Sequence, residues 1–374
     1  MSFLSSILDR ISALWVPLLL AGALGGCTSL SYYDQLVEGQ LDLLRRSEPV
    51  ESILRDQSRD PELRRRLALA QEARAFASRE LGLPDNRSYR RYVELDRPYV
   101  VWNLFATPEL SLTPLTHCFP IAGCVAYRGY YRQGAARGAA ALLQLEGWDT
   151  YVAGIEAYST LGWFDDPILS SMLRWDDERL AALIFHELAH QRVYVPGDTA
   201  FNESFASFVE REGARQWRAA RGLPPPDGRT ERQREQFTAL ILASRERLQQ
   251  LYASELDEDA KRAGKAAEFE RLRAEYRRLR DGEWQGDRRY DAWMAAPLNN
   301  ARLLPFGLYD QWVPAFAALY RQAGDWAAFY ARAAALGRLP VEERQRTLRA
   351  LLAENPAVTG AVQHSTGSTE DEKR

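Results

Sequence analysis

Ile184-Phe185-His186-Glu187-Leu188-Ala189-His190-Gln191 carries two histidines four residues apart, and Phe201-Asn202-Glu203-Ser204-Phe205-Ala206-Ser207-Phe208-Val209-Glu210 follows directly. Asp176 or Asp177 can serve as an N-cap, so the first stretch reads as a helix from Asp176 to about Tyr194, and the second as a helix from Phe201 to Arg221. On a helix, positions i and i+4 lie one above the other, so His186 and His190 face one point. Neutral imidazoles there can each give a zinc ion one nitrogen at about 2.0–2.1 Å. Glu187 stands beside the first ligand, where it can act on water at the metal without ligating. Ile184, Phe185, Leu188 and Ala189 bury the rest of the helix. The chain has four histidines, and two of them form this pair.

A catalytic zinc site takes three protein ligands and keeps a fourth position open. Glu203, on the next helix, is the candidate for the third. Glu210 lies seven residues further along the same helix face. It could accept a hydrogen bond from a ligand imidazole and orient it, or be an ordinary surface carboxylate.

Upstream, the expected elements are helices over Tyr32–Arg46, Pro61–Gly82 and Gln133–Gly147, and strands over Arg97–Thr107, Cys124–Tyr131 and Asp149–Thr160. A small sheet thus precedes the histidine helix. Pro224-Pro225-Pro226 reads as a linker. Beyond it, Thr230–Arg280 predicts a helical hairpin broken near Asp257 or Gly264. Shorter helices are expected over Tyr309–Gln322, Trp326–Leu336 and Val341–Glu354, and 358–374 is polar and unpatterned, expected to be disordered. The fold class expected is α+β, mostly α. Its segments are 1–26 (leader), 27–95 (helical), 96–223 (catalytic core), 224–357 (helical) and the tail.

Composition narrows the classes. With 374 residues and 46% apolar content the chain can bury a core, which excludes a wholly disordered protein. A formal charge of −3 supplies no net basic field, so no nucleic-acid partner is expected.

Ile11–Leu24 is an uncharged apolar run, short for a membrane span and suited to a signal-peptide core. Leu24-Gly25-Gly26-Cys27 after it resembles a bacterial lipobox, with Cys27 the lipidated residue. Thr28, where an Asp would signal inner-membrane retention, implies by the same resemblance an outer-membrane anchor facing the periplasm. In that oxidising compartment Cys118 and Cys124, with Pro120 and Gly123 between them, are expected to form a disulfide. The C-x5-C spacing is a poor match to a zinc ribbon or a thioredoxin-type redox pair.

HELAHQ (186–191) followed by NESFASFVE (202–210) resembles the zinc aminopeptidase branch of the gluzincins. The likeness carries His186, His190 and Glu203 over as ligands of Zn2+, and Glu187 as general base. The linker between the two segments is shorter than in the well-known aminopeptidases. SLSYYDQLVEGQLDLL, LGLPDNRSY, CFPIAGCVAYRGYY, EAYSTLGWFDDP and PLNNARLLPFGLYDQW extend the likeness over nearly the whole mature chain. Together they are similar to a bacterial family of predicted zinc aminopeptidase lipoproteins. What this implies is a zincin-like core, a peptide substrate and a lipid-anchored place in the envelope. It also implies an oxyanion-stabilising group downstream, for which Tyr309, Tyr290 and Arg302 are candidates. Ala153-Gly154-Ile155-Glu156-Ala157 resembles the amine-recognition element of zinc aminopeptidases, which implies that Glu156 binds the substrate's α-amine. An envelope zinc endopeptidase, and a non-enzymatic scaffold that keeps the fold, remain as alternatives.

Overall fold

Residues 32–119, 123–225 and 227–353 are described here from a computed structural model. The leader 1–26, Cys27, the tail 358–374 and His364 lie outside them. The chain is α+β and mostly helical. Helix α1 covers 32–46, followed by β1 (Glu48–Pro49), α2 (Val50–Arg55), α3 (Pro61–Arg79) and β2 (Arg91–Val93). Asp60 caps α3 by accepting the Glu62 N–H at 3.1 Å, and Pro61 fills the first turn, where no N–H is needed.

The sheet that matters for the site comes next. β3 (Val101–Pro108), β4 (His117–Phe119), β5 (Gly123–Val125) and β6 (Arg128–Tyr130) precede α4 (Gln133–Leu145) and β7 (Trp148–Ile155). The order is β6-β3-β7, all antiparallel, with Val101 opposite Ile155 and Pro108 opposite Trp148. Alternate residues face opposite ways. Trp102, Leu104 and Val152 join Ala136 and Ala140 of α4 in one cluster. Val101, Asn103, Phe105, Ala153 and Ile155 face a cleft on the other side.

Two expected strands come out differently. Cys124–Tyr131 divides into β5, which pairs only with β4, and β6, which joins the main sheet. The strand expected to reach Thr160 ends at Ile155, opposite Val101, where the antiparallel partner β3 begins.

β8 (Ile168–Leu169) pairs in parallel with β2, and then come α5 (Asp177–Arg192) and α6 (Thr199–Ala220). α5 is buried from Leu180 through His190 and runs between α3 and α6. Phe205 and Phe208 of α6 pack on Phe329, and Phe205 also on Phe316. α7 (Arg229–Ala253) and α8 (Glu258–Asp281) form the expected hairpin, broken at Asp257, which caps α8. Gly264 lies inside α8, where a Cβ would stand 2.8 Å from Leu251.

α9 (Asp291–Ala295) and α10 (Asn300–Tyr309) lead to α11 (Val313–Ala323), α12 (Trp326–Gly337) and α13 (Val341–Ala353). The helix expected to begin at Tyr309 therefore begins at Val313 instead. Tyr309 closes α10, and Pro314 in the first turn marks a fresh start.

Candidate metal centre

Each donor is placed by local structure. Asp176 accepts the Arg179 N–H at 2.8 Å and starts α5. The i, i+4 spacing then brings His186 Nε2 and His190 Nε2 to 3.2 Å. The connection to α6 is fixed by Asn202, whose side chain accepts from Val195 N and donates to Val195 O, both at 2.8 Å. Gly197 takes a φ of 83°, Asp198 caps α6, and the buried Arg344 of α13 holds Asp198 at 2.8 Å. So short a connection leaves α6 beside α5, with Glu203 Oε2 3.4 Å from His186 Nε2 and 3.6 Å from His190 Nε2.

These three buried groups could hold a metal ion. Ligands about 2.0–2.1 Å from a tetrahedral zinc lie about 3.3–3.4 Å from one another. The three separations of 3.2, 3.4 and 3.6 Å match that edge. Two imidazole nitrogens and one carboxylate oxygen are also a donor set that suits zinc.

Charge is arranged around the donors. Burial works against a charged His186, but Glu203 and Glu210 outweigh it and hold the imidazole up at about 10. Burial would raise Glu203 and Glu210, yet charge attraction and hydrogen bonds from basic neighbours bring each carboxyl down to about 2. For Glu203 these neighbours are the two histidines; for Glu210 they are His186, Arg179 and Arg211. Burial dominates at Glu187 and pushes it up to about 7, moderated by His186 and His190.

The donors line a cleft of about 760 Å³ together with the sheet residues above. Tyr309, from the end of α10, lies with its ring 6.5 Å from that of His186, the planes 21° apart. Burial and then the Glu203 charge hold its hydroxyl well above the usual tyrosine range, and the same causes act on Tyr127.

The other candidates separate clearly. Glu210 Oε2 lies 2.9 Å from His186 Nδ1. Glu156, just past β7, lines the cleft, and its carboxylate accepts the Trp175 indole N–H at 2.7 Å. Tyr290 is away from the donors, stacked on Phe237 at 3.8 Å in the cluster of the α7–α8 hairpin. Arg302 sits over the rings of Tyr151 and Trp293, outside the residues lining the cleft. Cys118 and Cys124 face each other across β4 and β5 and are joined as a disulfide.

Three residues at the site were not anticipated from the sequence. Asn202 clamps the connection, Tyr194 lines the cleft, and Arg179 pairs with Glu210. Arg179 precedes His186 by seven residues, so two helical turns put it on the histidine face, a signal present in the sequence. Asp166 is a buried carboxylate that accepts the Thr160 N–H at 3.0 Å and the Gln191 amide.

Two histidines and a glutamate meet at one buried point that could take a metal ion, with the Glu187 carboxylate in the same cleft. A family described as "Putative aminopeptidase" matches residues 31–348, and the chain belongs to that family. No curated protein and no solved structure matches it.

Proposed function

We propose that this protein is a zinc-dependent aminopeptidase with a zincin-like core of gluzincin type. The observation that carries the reading is the meeting of the His186, His190 and Glu203 donor atoms within 3.6 Å of one another, with Glu187 next in sequence, inside the cleft. The family description supports a peptide substrate.

His186, His190 and Glu203 would hold the ion. Bound zinc supplies a Lewis acid that makes water a better nucleophile near neutral pH and polarises a carbonyl. Glu187 does the proton work. Its carboxylate takes a proton from the attacking water and releases it to the departing amine. Tyr309 supplies a hydroxyl for the carbonyl oxygen, and Glu156 a carboxylate for the free α-amine.

We also propose that Cys27 carries lipid and holds the chain at the envelope membrane, facing the periplasm. Among the described residues no helix is long and apolar enough to cross a membrane.

Metal analysis and turnover on a peptide library test the reading. The wild type is expected to hold about one zinc per chain. His186→Ala and Glu203→Ala are expected to lose it. Glu187→Gln is expected to keep the metal and lose about 10²- to 10⁴-fold in rate. Stoichiometric zinc in both ligand variants, or full activity in Glu187→Gln, overturns it. Cleavage of N-acetylated peptides as fast as free ones makes the enzyme an endopeptidase.

A further inference from the structure

Helix α1 has two apolar faces, and only one is covered. Tyr32 and Leu36 point inward and line the metal cleft. The helix is fixed to that wall by polar contacts as well. Gln35 accepts the Tyr131 N–H at 3.0 Å, and Gln40 accepts the Tyr131 hydroxyl at 3.1 Å. Gly39 lies against the Tyr131 ring, where a Cβ would stand 2.2 Å from the nearest ring carbon. On the other side Tyr33, Val37 and Leu41 are 42%, 57% and 41% exposed. Their i, i+4, i+8 spacing makes one continuous row. Isolated exposed apolar residues are ordinary, whereas these three are continuous along one helix face.

We infer that this row lies against a phospholipid bilayer. The inference rests on the proposed anchor at Cys27, six residues before Tyr33, a reach of at most about 20 Å of extended chain. A lipid on Cys27 therefore keeps the row within about that distance of the membrane interface, where buried apolar area would add to attachment by the acyl chains. Asp34 and Glu38 stand exposed beside the row, and Glu38 pairs with Arg132 at 2.6 Å. Anionic headgroups would repel these carboxylates, so the contact is apolar and suits a zwitterionic surface. With the row on the bilayer, the cleft wall formed by Tyr32 and Leu36 stands about one helix diameter, roughly 10–12 Å, from the membrane. The cleft then serves chain ends held near the lipid surface.

The test places the photocrosslinking residue benzoylphenylalanine at Val37, Leu41 or Leu256 of the full chain expressed in a bacterial envelope. Leu256, at the α7–α8 connection, is 51% exposed and serves as the control. Irradiated membranes are expected to give phospholipid adducts from positions 37 and 41 and none from 256. Fatty-acid labelling of the same preparation reads the anchor separately. A labelled, membrane-bound chain with no lipid adduct at 37 overturns the docking surface and leaves the anchor standing. Lipid adducts from 37 and 41 on an unlabelled chain remove lipid from Cys27 and keep the surface. Adducts to a second copy, to residues 1–31 or to another protein overturn the inference, as do equal lipid adducts at 256.

Discussion

His186 Nδ1 lies 2.9 Å from Glu210 Oε2, and Glu210 stands two turns beyond Glu203 on α6. One helix thus carries a donor and the group that orients a second donor on its neighbour. Arg179, two turns before His186 on α5, pairs with the other oxygen of Glu210. α5 supplies two candidate donors and α6 one, and each helix carries, seven residues from a donor, a residue of the Arg179–Glu210–His186 chain.

Glu210→Ala is therefore expected to weaken zinc affinity about 10- to 100-fold, the usual cost of losing the partner of a ligand histidine. Glu210→Gln, which keeps an acceptor, is expected to recover part of it. Competition against a chelating dye measures both. Equal affinity in wild type and Glu210→Ala would show that the contact orients nothing.

Metal uptake should release a proton. Without metal His186 is held up at about 10, so its ring is charged at neutral pH, whereas ligation needs neutral nitrogen. Glu203, held down at about 2, is already ionised and releases none. The affinity is then expected to rise about tenfold per pH unit between roughly pH 7 and 9. Titration calorimetry in buffers of different ionisation enthalpy counts the proton, and a count near zero at pH 7.5 contradicts the assignment.

The β4–β5 hairpin presses on the connection between the ligand helices. A Cβ on Gly123 would stand 2.5 Å from Gly197 N, and Gly123 itself has a φ of 73°. Gly123→Ala must strain the backbone and push the 195–198 turn, a cost of at least about 1–2 kcal/mol. The expected result is a lowered Tm together with weaker zinc binding, because that turn sets where Glu203 falls. A lowered Tm with unchanged zinc affinity would confine the effect to the hairpin.

The donors are legible in the sequence because helix periodicity alone brings His186, His190 and the Arg179 position to one face, and a short connection forces α6 back alongside α5. The cleft wall is much less so. β4, β5 and β6 are three residues each, too short for alternation to separate them. α10 hides behind Pro305 and Gly307, which read as breakers although Asn299 caps the helix by accepting the Arg302 N–H at 2.9 Å. Tyr290 and Arg302 share with Tyr309 the residue types that suit an oxyanion. Only tertiary packing shows which of the three reaches His186.

Asp166 gives a pH dependence of stability. Burial raises its carboxyl from 3.8 to about 6, because the ionised form is poorly solvated there. The folded state then holds the proton more tightly than the unfolded chain. Its contribution is fully present below pH 3.8 and is lost as pH rises through about 6. The loss is on the order of 2–3 kcal/mol. Asp166→Asn, permanently neutral and still able to accept from Thr160, is expected to flatten this part of the curve. Urea unfolding at pH 4, 5, 6 and 7 checks it, and parallel curves for the two proteins refute the assignment.

Tyr309 is the residue whose removal should separate chemistry from binding. Its ring lies beside that of His186, and it lines the same cleft as Glu187. A hydroxyl there can donate to a carbonyl oxygen as negative charge builds on it, an interaction stronger in the transition state than in the ground state. Tyr309→Phe deletes that donor and keeps the ring. It is expected to lower kcat about 10²- to 10³-fold, the scale of losing one oxyanion donor, with KM and zinc content little changed. Tyr290→Phe is the matched control, since that ring stacks on Phe237 in another cluster and should retain wild-type turnover. If the two variants lose equal activity, or if Tyr309→Phe raises KM alone, the hydroxyl binds or packs and some other group faces the oxyanion.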